Sequence, residues 1–363
     1  SPRMSSYLLH LTVGDLERIS RKTAGVEIGI VTRKGAAEQG RVALDAAAEI
    51  LPWYNDYFGT SYPLPKLDMI AVPGTSQFFG AMENWGAIMY FEQALLMDPQ
   101  ISSESDRLNI YDAVAHEMAH QWFGNLVTME WWDDLWLNEG YATWMAEKAA
   151  STLRPQWNVP LLTVKWPREF ALQSDASDAT HPIVQRVSSV DAASQAFDAI
   201  AYNKGSAVIR MLEASLGETG FRDGIRRYVR RYAYDNTVTD QLWSELASAT
   251  NRPVIDIARD FTLQPGVPLV KAVAGRCESG RTRVTLTQGR FETGMPSPVA
   301  LTWRIPVVLQ AIDSRATAST LLGKDGAPVS VVVGGCGPVV VNAGQTGYFR
   351  TQYADADLIR IRQ

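Results

Sequence analysis

The segment His116-Glu117-Met118-Ala119-His120 constrains the fold of this chain more than any other feature of its sequence. A helix advances about 100° per residue, so histidines four residues apart lie on one face and can bind the same ion. Glu139 follows His120 after 18 intervening residues. Zinc in a catalytic site takes three protein ligands and leaves a fourth position for water. The pattern therefore predicts two packed helices that present His116, His120 and Glu139 to one zinc ion.

The sequence around these residues fits two amphipathic helices. Apolar residues recur every three or four positions in the first segment and every four positions around Glu139. They are Leu108, Tyr111, Ala115, Met118 and Trp122, followed by Leu137, Tyr141, Met145 and Ala149. Ser103 or Asp106 is expected to cap the first helix, and Gly124-Asn125 is expected to end it. A helix that merely carries two surface histidines is the alternative, and these apolar stripes argue against it.

A metal site of this kind suits hydrolysis. Bound zinc lowers the pKa of its water towards ~7, and a nearby carboxylate can accept the proton as the water attacks a carbonyl group. Glu117, one position after His116, is predicted to be that base. The tetrahedral oxyanion then needs a hydrogen-bond donor. The residue pattern alone leaves open which of the 13 tyrosines, if any, provides it.

The segment Gly80-Ala81-Met82-Glu83-Asn84 is the second candidate for a functional role. Gly80 and Gly86 let the backbone approach a ligand closely, and Ile88 to Phe91 is predicted to be a strand to whose edge a peptide could pair. A fixed carboxylate near the metal, here Glu83, would bind a cationic α-amino group. A glycine-flanked turn with a solvated glutamate is the alternative interpretation.

Three motifs in this order resemble those of the gluzincin aminopeptidases, the family of aminopeptidase N and the leukotriene hydrolase. They are the histidine motif with Glu139, the segment 80–84, and Tyr202-Asn203-Lys204-Gly205. The resemblance implies a zinc-dependent aminopeptidase whose partners are peptides with a free N-terminus. It assigns the substrate amine to Glu83, the general base to Glu117 and oxyanion stabilisation to Tyr202. Ala81 and Met82 are the family-matched residues of the pocket for the first side chain.

Two other functions stay open beside this one. The leukotriene branch implies an epoxide hydrolase that uses the same zinc and tyrosine, and degenerate relatives imply a non-catalytic scaffold that keeps the fold. Assays with a lipid epoxide and with amino-acid anilides distinguish an epoxide hydrolase from an aminopeptidase. Stoichiometric zinc, which His116, His120 and Glu139 predict, would argue against the non-catalytic scaffold.

Several polar residues have a structural interpretation and a functional one. Asp133 and Asp134 either accept from the far N–H of a ligating imidazole or cap the helix that follows. His181 precedes a proline and is interpreted as structural. His10, in an alternating stretch from Tyr7 to Val13, is expected to lie in a sheet.

The predicted fold class is α+β, with a thermolysin-like catalytic domain, as the resemblance implies, followed by a small all-β sandwich. Met4 to Thr32 alternates as strands, Ala36 to Leu51 is predicted to be a helix, and helices dominate from Asp106 to about Phe261. After Gln264-Pro265-Gly266 the sequence changes to short alternating strands separated by Gly, Pro and Ser. The predicted strands are 67–72, 283–287, 301–310, 329–333 and 339–342.

The predicted domains follow from these changes and from the family pattern. Residues 1–17 are assigned to the end of an N-terminal β domain, residues 18–264 to the catalytic domain and residues 265–363 to the β-sandwich. Compared with full-length relatives, the chain is expected to lack most of the N-terminal domain and a C-terminal helical domain.

Composition excludes some partners. The chain has 363 residues, 46% of them hydrophobic, which is enough for two or three domains with substantial cores. A net charge of −5 gives no basic surface for nucleic acid. There is no apolar run of 18 residues and no signal-peptide pattern, so no membrane association is expected.

The compartment is less constrained. The chain begins Ser-Pro-Arg, and the weak expectation is a periplasmic or secreted protein whose targeting segment lies outside this sequence. Cys277 and Cys336 would pair in an oxidising compartment and stay reduced elsewhere, and the sequence leaves both options open, as it does the oligomeric state.

Overall fold

Along most of the chain, helices and strands form where the spacing of apolar residues predicts them. The computed structural model describes residues 2–76, 79–98, 100–250, 252–294 and 300–362. The helices are α1 Arg41–Phe58, α2 Glu92–Leu95, α3 Glu104–Ala119, α4 Trp136–Leu153, α5 Val159–Lys165, α6 Pro167–Asp175, α7 Val190–Gln195, α8 Gly205–Leu216, α9 Glu218–Tyr232, α10 Thr239–Thr250, α11 Val254–Thr262 and α12 Asp355–Arg362. The strands are β1 Leu16–Thr23, β2 Val26–Arg33, β3 Lys66–Val72, β4 Ala81–Met82, β5 Ala87–Phe91, β6 Val127–Met129, β7 Asp235–Thr237, β8 Val267–Glu278, β9 Arg281–Phe291, β10 Ile305–Ala311, β11 Thr317–Leu322, β12 Val329–Gly334, β13 Val339–Val341 and β14 Arg350–Tyr353.

The backbone divides into two units by its internal contacts. The first comprises Ser1–Thr163 with Arg222–Glu245, and the second comprises Val164–Phe221 with Leu246–Gln363. The chain therefore enters each unit twice. The division at residues 17/18 and 264/265 follows sequence patterns instead of contacts, and it stays a prediction. No helix in the described ranges is both long and apolar enough to cross a membrane.

The first unit contains a mixed sheet with the strand order β1-β2-β3-β5-β4. The central strands β2, β3 and β5 run parallel, whereas β1 and β4 pair antiparallel at the two edges. Ile88–Phe91 therefore lies inside the sheet, and the expectation that it offers an open edge was wrong. Among the described residues, the strand at this edge of the sheet is Ala81–Met82, whose register places Ala81 opposite Tyr90 and Met82 opposite Met89.

Helices α3 and α4 pack against each other, as the two apolar stripes predicted. A capping box starts α3: the Ser103 hydroxyl accepts from the Asp106 N–H, and the Asp106 carboxylate accepts from the Ser103 N–H at 2.7 Å. The helix ends at Ala119, with His120 as its C-cap, earlier than the predicted end at Gly124. The second stripe is fully confirmed, because Leu137, Tyr141, Met145 and Ala149 are all buried.

The expectation for the N-terminal stretch was wrong. Ser6–Leu8 forms a short 3-10 helix, and within the described ranges the first strand begins only at Leu16, so His10 is not in a sheet. The alternating residues Leu9, Leu11 and Val13 are exposed. Alternation marks a strand only where a neighbouring strand completes the hydrogen bonds.

The second unit contains two facing sheets with the orders β11-β10-β13 and β12-β9-β8-β14. Strands β10 and β11 contact β12 of the other sheet, which confirms the predicted β-sandwich. Cys277 and Cys336 form a disulfide between the end of β8 and the turn after β12. The pairing that the sequence left open is therefore present.

Candidate metal centre and its carboxylates

Three side chains from α3 and α4 converge on one point. His116 Nε2 lies 3.1 Å from His120 Nε2 and 3.3 Å from Glu139 Oε2, and His120 Nε2 lies 3.4 Å from the same carboxylate oxygen. His120 and Glu139 are almost completely buried, and His116 is partly open to solvent. The packing of two helices therefore brings together the three residues that the sequence predicted as ligands.

The spacing of these atoms fits zinc. Ligands at about 2.0–2.1 Å from a tetrahedral ion are separated from each other by about 3.3–3.4 Å. His120 Nδ1 faces the backbone oxygen of Phe123 at 3.0 Å, so Nδ1 carries the proton and Nε2 is free to bind a metal. Two imidazole nitrogens and a carboxylate oxygen are also the donor types that zinc prefers.

The carboxylates around the candidate ligands favour positive charge at this point. Burial disfavours a charged imidazole, but Glu139 and Glu83 outweigh it and raise the pKa of His120 to about 10. Burial likewise disfavours the charged form of Glu139, but His120 and His116 hold the pKa of that carboxyl well below its usual range. A proton and a metal ion compete for the same nitrogen, so metal binding releases the proton.

Two further carboxylates stand beside the ligands. Donor atoms of Glu83, Glu117 and His120 all lie within 4.8 Å of one another. Glu117 is 8% exposed and Glu83 is 7% exposed. Burial raises the pKa of Glu117 to about 7, against the attraction of the two histidines. A carboxylate with a pKa near neutrality is suited to accept and return a proton.

The backbone of Glu83 is held by residues that follow the histidine motif. Gln121 Nε2 donates to the Glu83 carbonyl at 3.3 Å, and Asn125 Nδ2 donates to it at 2.9 Å. Gln121 also donates to the Glu117 carbonyl at 3.1 Å and accepts from the Gly86 N–H at 3.3 Å. Sequence analysis missed both amides, although Gln121 directly follows His120 and lies one helical turn after Glu117.

The side chains of the segment 80–84 contact the N-terminal stretch. Tyr7 donates from its hydroxyl to Glu83 Oε1 at 3.1 Å, and Asn84 Nδ2 donates to the Leu8 carbonyl at 3.1 Å. The ring of Tyr7 also lies against that of Trp132. Sequence analysis missed Tyr7 because nothing in its local pattern indicates a partner 76 residues away. The remaining predicted residues of this segment form its edge: Gly80 accepts from the Phe91 N–H, and Ala81–Met82 is β4.

Gly124 shapes the turn that orients His120. Its φ angle is +125°, which disfavours any residue with a side chain. An added Cβ would lie 3.2 Å from Asn138 Nδ2 and 3.5 Å from His120 Nδ1. Glycine at this position therefore lets the chain reverse directly beside a candidate metal ligand.

Asp134 has neither of the two roles that the sequence suggested. Asp134 Oδ1 accepts from the N–H and the hydroxyl of Thr239, and no side-chain bond caps α4 at Leu135. The acceptor that orients His120 is the Phe123 carbonyl. Asp134 therefore joins the start of α4 to the start of α10.

Tyr202 belongs to the second unit, whereas the other predicted site residues belong to the first. It is half-buried and lies in the π-helical turn Ile200–Lys204 between α7 and α8. Turns of this type occur often at functional sites. Its backbone N–H donates to the Asp198 carbonyl at 3.1 Å.

Comparison with known proteins agrees with these features. The profile described as "Peptidase family M1 domain" matches residues 42–261. "Probable aminopeptidase 2" of Sulfurisphaera tokodaii is 38% identical over 359 residues, which cover 99% of this chain and 44% of the relative. "Leucyl aminopeptidase" of Saccharolobus solfataricus is 37% identical over 99% of this chain and 44% of the relative.

A third relative comes from an animal. "Puromycin-sensitive aminopeptidase" of Caenorhabditis elegans is 37% identical over 98% of this chain and 38% of its own length. The chain spans about two fifths of the length of these curated relatives.

Proposed function

The chain belongs to peptidase family M1, and from that membership we propose that it removes the first residue of peptides with a free N-terminus, using one zinc ion held by His116, His120 and Glu139. The relatives described above are all named aminopeptidases. Their names support the reaction class, and the donor set on α3 and α4 supports the metal.

The observation that carries the proposal is the presence of Glu83 and Glu117 beside the three ligands. Hydrolysis of a terminal peptide bond needs one carboxylate to move a proton and a second to bind the amine. Both must be shielded from water to act strongly, and both are buried. A site with only one of them would suit an endopeptidase equally well.

Glu117 is assigned to the proton transfer. A bound zinc ion supplies Lewis acidity, lowering the pKa of a water molecule to about 7. The Glu117 carboxylate accepts the proton that the attacking water loses and returns it to the leaving amine. Burial, which raises the pKa of Glu117, strengthens the carboxylate as a base.

Glu83 is assigned to the substrate's ammonium group. Its backbone is fixed by Gln121 and Asn125, and its carboxylate accepts from Tyr7, so the group is held in place before a substrate arrives. A charge-assisted hydrogen bond to the ammonium then selects chain ends over internal bonds. In the described part of the chain β4 is an edge strand, which supports pairing of Ala81–Met82 with the extended substrate backbone.

Tyr202 is assigned to the oxyanion. A phenol hydroxyl donates to the negative charge that develops as the tetrahedral species forms. This role rests on the match between Tyr202-Asn203-Lys204-Gly205 and the family motif, and on the π-helical turn that carries it.

The deciding experiment compares one peptide anilide with its N-acetylated form, in the wild type and in Glu83→Gln. Loss of the carboxylate should lower kcat/KM for the free amine by about tenfold to a hundredfold, since a hydrogen bond to a charged group contributes ~1.5–3 kcal/mol. Hydrolysis of the acetylated form should change little. An unchanged ratio would remove Glu83 from substrate selection.

Two further measurements separate the alternatives. Hydrolysis of a lipid epoxide without hydrolysis of any anilide would assign the chain to the epoxide hydrolases. A purified chain that binds no stoichiometric zinc would favour a scaffold without catalysis.

A further inference from the structure

His181 and Asp198 form an ion pair that the proposed mechanism does not use. His181 Nε2 lies 2.6 Å from Asp198 Oδ2, and His181 Nδ1 lies 2.7 Å from the Pro182 carbonyl oxygen. A carbonyl oxygen and an ionised carboxylate are both acceptors only. Both ring nitrogens of His181 must therefore donate. The geometry is therefore that of an imidazolium with both protons in use.

Asp198 connects this pair to the turn that carries Tyr202. Its second oxygen accepts from the backbone N–H groups of Ile200 and Ala201 at 2.9 and 3.0 Å. Its own carbonyl accepts from the Tyr202 N–H at 3.1 Å. One aspartate therefore holds three successive N–H groups that lead to the tyrosine, as the capping residue of a helix does.

We propose that His181 is a positioning residue for Tyr202: its imidazolium binds Asp198, and Asp198 holds the turn that presents the tyrosine hydroxyl. The role rests on the proposed function of Tyr202. It concerns the second unit alone, since His181, Asp198 and Tyr202 all lie within Val164–Phe221.

The far end of the same turn is held by a second ion pair. Lys204 Nζ lies 2.9 Å from Asp175 Oδ2 and donates to the Gln264 carbonyl at 3.2 Å. Thr180, the residue before His181, donates to Asp175 Oδ1 at 2.5 Å. With Lys204 held, movement of the turn after loss of the histidine would be confined to its first residues and to Tyr202.

The charged groups that act on His181 define its response to pH. The hydrogen bond from His181 to Asp198 raises the pKa of His181 above its ordinary value, against burial and against the charge of Lys204. The positive charge of Lys204 is compensated by the carboxylate of Asp175. Because the folded pKa is raised, the imidazolium and its hold on Asp198 are complete below about pH 6.5. They are lost as the pH rises through the folded value.

The test is the pH dependence of kcat in the zinc-loaded chain at saturating substrate. His181→Gln replaces the charged imidazolium by a neutral amide that does not titrate, which weakens the hold on Asp198. It should lower kcat by roughly tenfold to a hundredfold, as a misplaced transition-state group does, and should remove the alkaline decline that His181 contributes. Unchanged kcat and an unchanged profile would overturn the proposal.

A double-mutant cycle separates positioning from general loss of structure. If His181 acts through Tyr202, then His181→Gln should change kcat little in a Tyr202→Phe background. An equal loss in both backgrounds would assign the effect elsewhere and overturn the proposal. His10→Gln is the matched control, because it removes another histidine outside both the turn and the candidate site, and it should leave kcat and its pH profile unchanged.

A titration of the imidazole by NMR needs no activity. The wild type should show a His181 resonance, identified by its absence from His181→Gln, with a pKa above about 6.5, and Asp198→Asn should return that pKa towards about 6.5. A value unaffected by Asp198→Asn would overturn the ion pair. If the zinc-loaded wild type releases no product at any pH, the proposed function fails, and the role of His181 with it. Activity with additive effects overturns only the role of His181.

Discussion

Lys204 Nζ lies 2.9 Å from Asp175 Oδ2, and neither side chain has any exposure to solvent. Asp175 also accepts from the Gly266 N–H at 2.8 Å and from the Tyr348 hydroxyl at 3.1 Å. The ion pair therefore joins the turn of Tyr202 to the start and the end of the β-sandwich, all within the second unit. A buried charge with so many partners is tolerated only while each partner is present.

Lys204→Met should consequently destabilise the chain strongly. It leaves the Asp175 carboxylate buried without its cation, and breaking a buried pair in this way costs about 3–5 kcal/mol. Lys324→Met is the matched control. Lys324 Nζ also lies 2.9 Å from a carboxylate, Asp260, but Lys324 is half-exposed and Asp260 keeps Arg304, so a loss below about 1 kcal/mol is expected. Urea unfolding of both variants measures the difference, and equal losses would contradict the role of Asp175.

Glu117→Gln should separate metal binding from catalysis. The amide keeps the shape of the carboxylate but cannot accept the proton, and a general base contributes about 10²–10⁴-fold. The variant should bind one zinc per chain and lose kcat by that factor. Zinc content and kcat are measured on the same preparation, with the exposed Glu130→Gln as control. Wild-type turnover by zinc-loaded Glu117→Gln would exclude this residue as the base.

Tyr7→Phe tests the hydroxyl that holds Glu83. Removing a hydrogen bond to a charged group costs about 1.5–3 kcal/mol, so kcat/KM for a free-amine peptide should fall by roughly tenfold or more. The same change in a Glu83→Gln background should have little effect, because the two residues act as one unit. Tyr353→Phe removes a hydroxyl bonded to the Val341 backbone and serves as control. Full additivity of the two changes would show that Tyr7 does not act through Glu83.

Gly124→Ala should weaken metal binding through the backbone. Positive φ costs a residue with a side chain on the order of 1–3 kcal/mol, and the new Cβ would press on Asn138 and on the imidazole of His120. Loss of the group that orients a ligand typically lowers metal affinity by about 10–100-fold. Gly25→Ala has a φ of +83° but nothing within 4 Å of the added atom. Both variants should lose stability, and only Gly124→Ala should lose zinc in a competition with a chelator.

Local patterns predicted the features that depend on a single element. The two histidines and the apolar stripes of α3 and α4 repeat with the helical period, so spacing predicted that the candidate ligands lie on two packed helices. Alternation likewise predicted β9, β12 and β13 of the sandwich, whereas the strand predicted at 301–310 begins only at Ile305, and β8, β11 and β14 were not predicted. The pairing of Cys277 with Cys336 stayed open because two cysteines carry no information about their distance in space.

The features that sequence did not predict depend on tertiary neighbours. Tyr7, Gln121 and Asn125 act on Glu83 across separations that no period encodes. The edge strand was predicted at Ile88–Phe91 instead of Ala81–Met82, because strand order, unlike strand formation, is decided by the whole sheet. The alternation from Leu9 to Val13 failed for the same reason, since within the described residues no strand pairs with it.

The order in which the segments of the two units occur along the chain has a consequence for its synthesis. The first unit contains all three proposed metal ligands but is not complete until Glu245 has been made, and Val164–Phe221, which carries Tyr202, is made before that. At ~5–20 residues per second, a ribosome takes seconds to cross this interval, during which α3 and α4 exist without α9. The nascent chain must therefore begin both units before it can finish either. For the same reason, no single cut yields two fragments that each contain one whole unit.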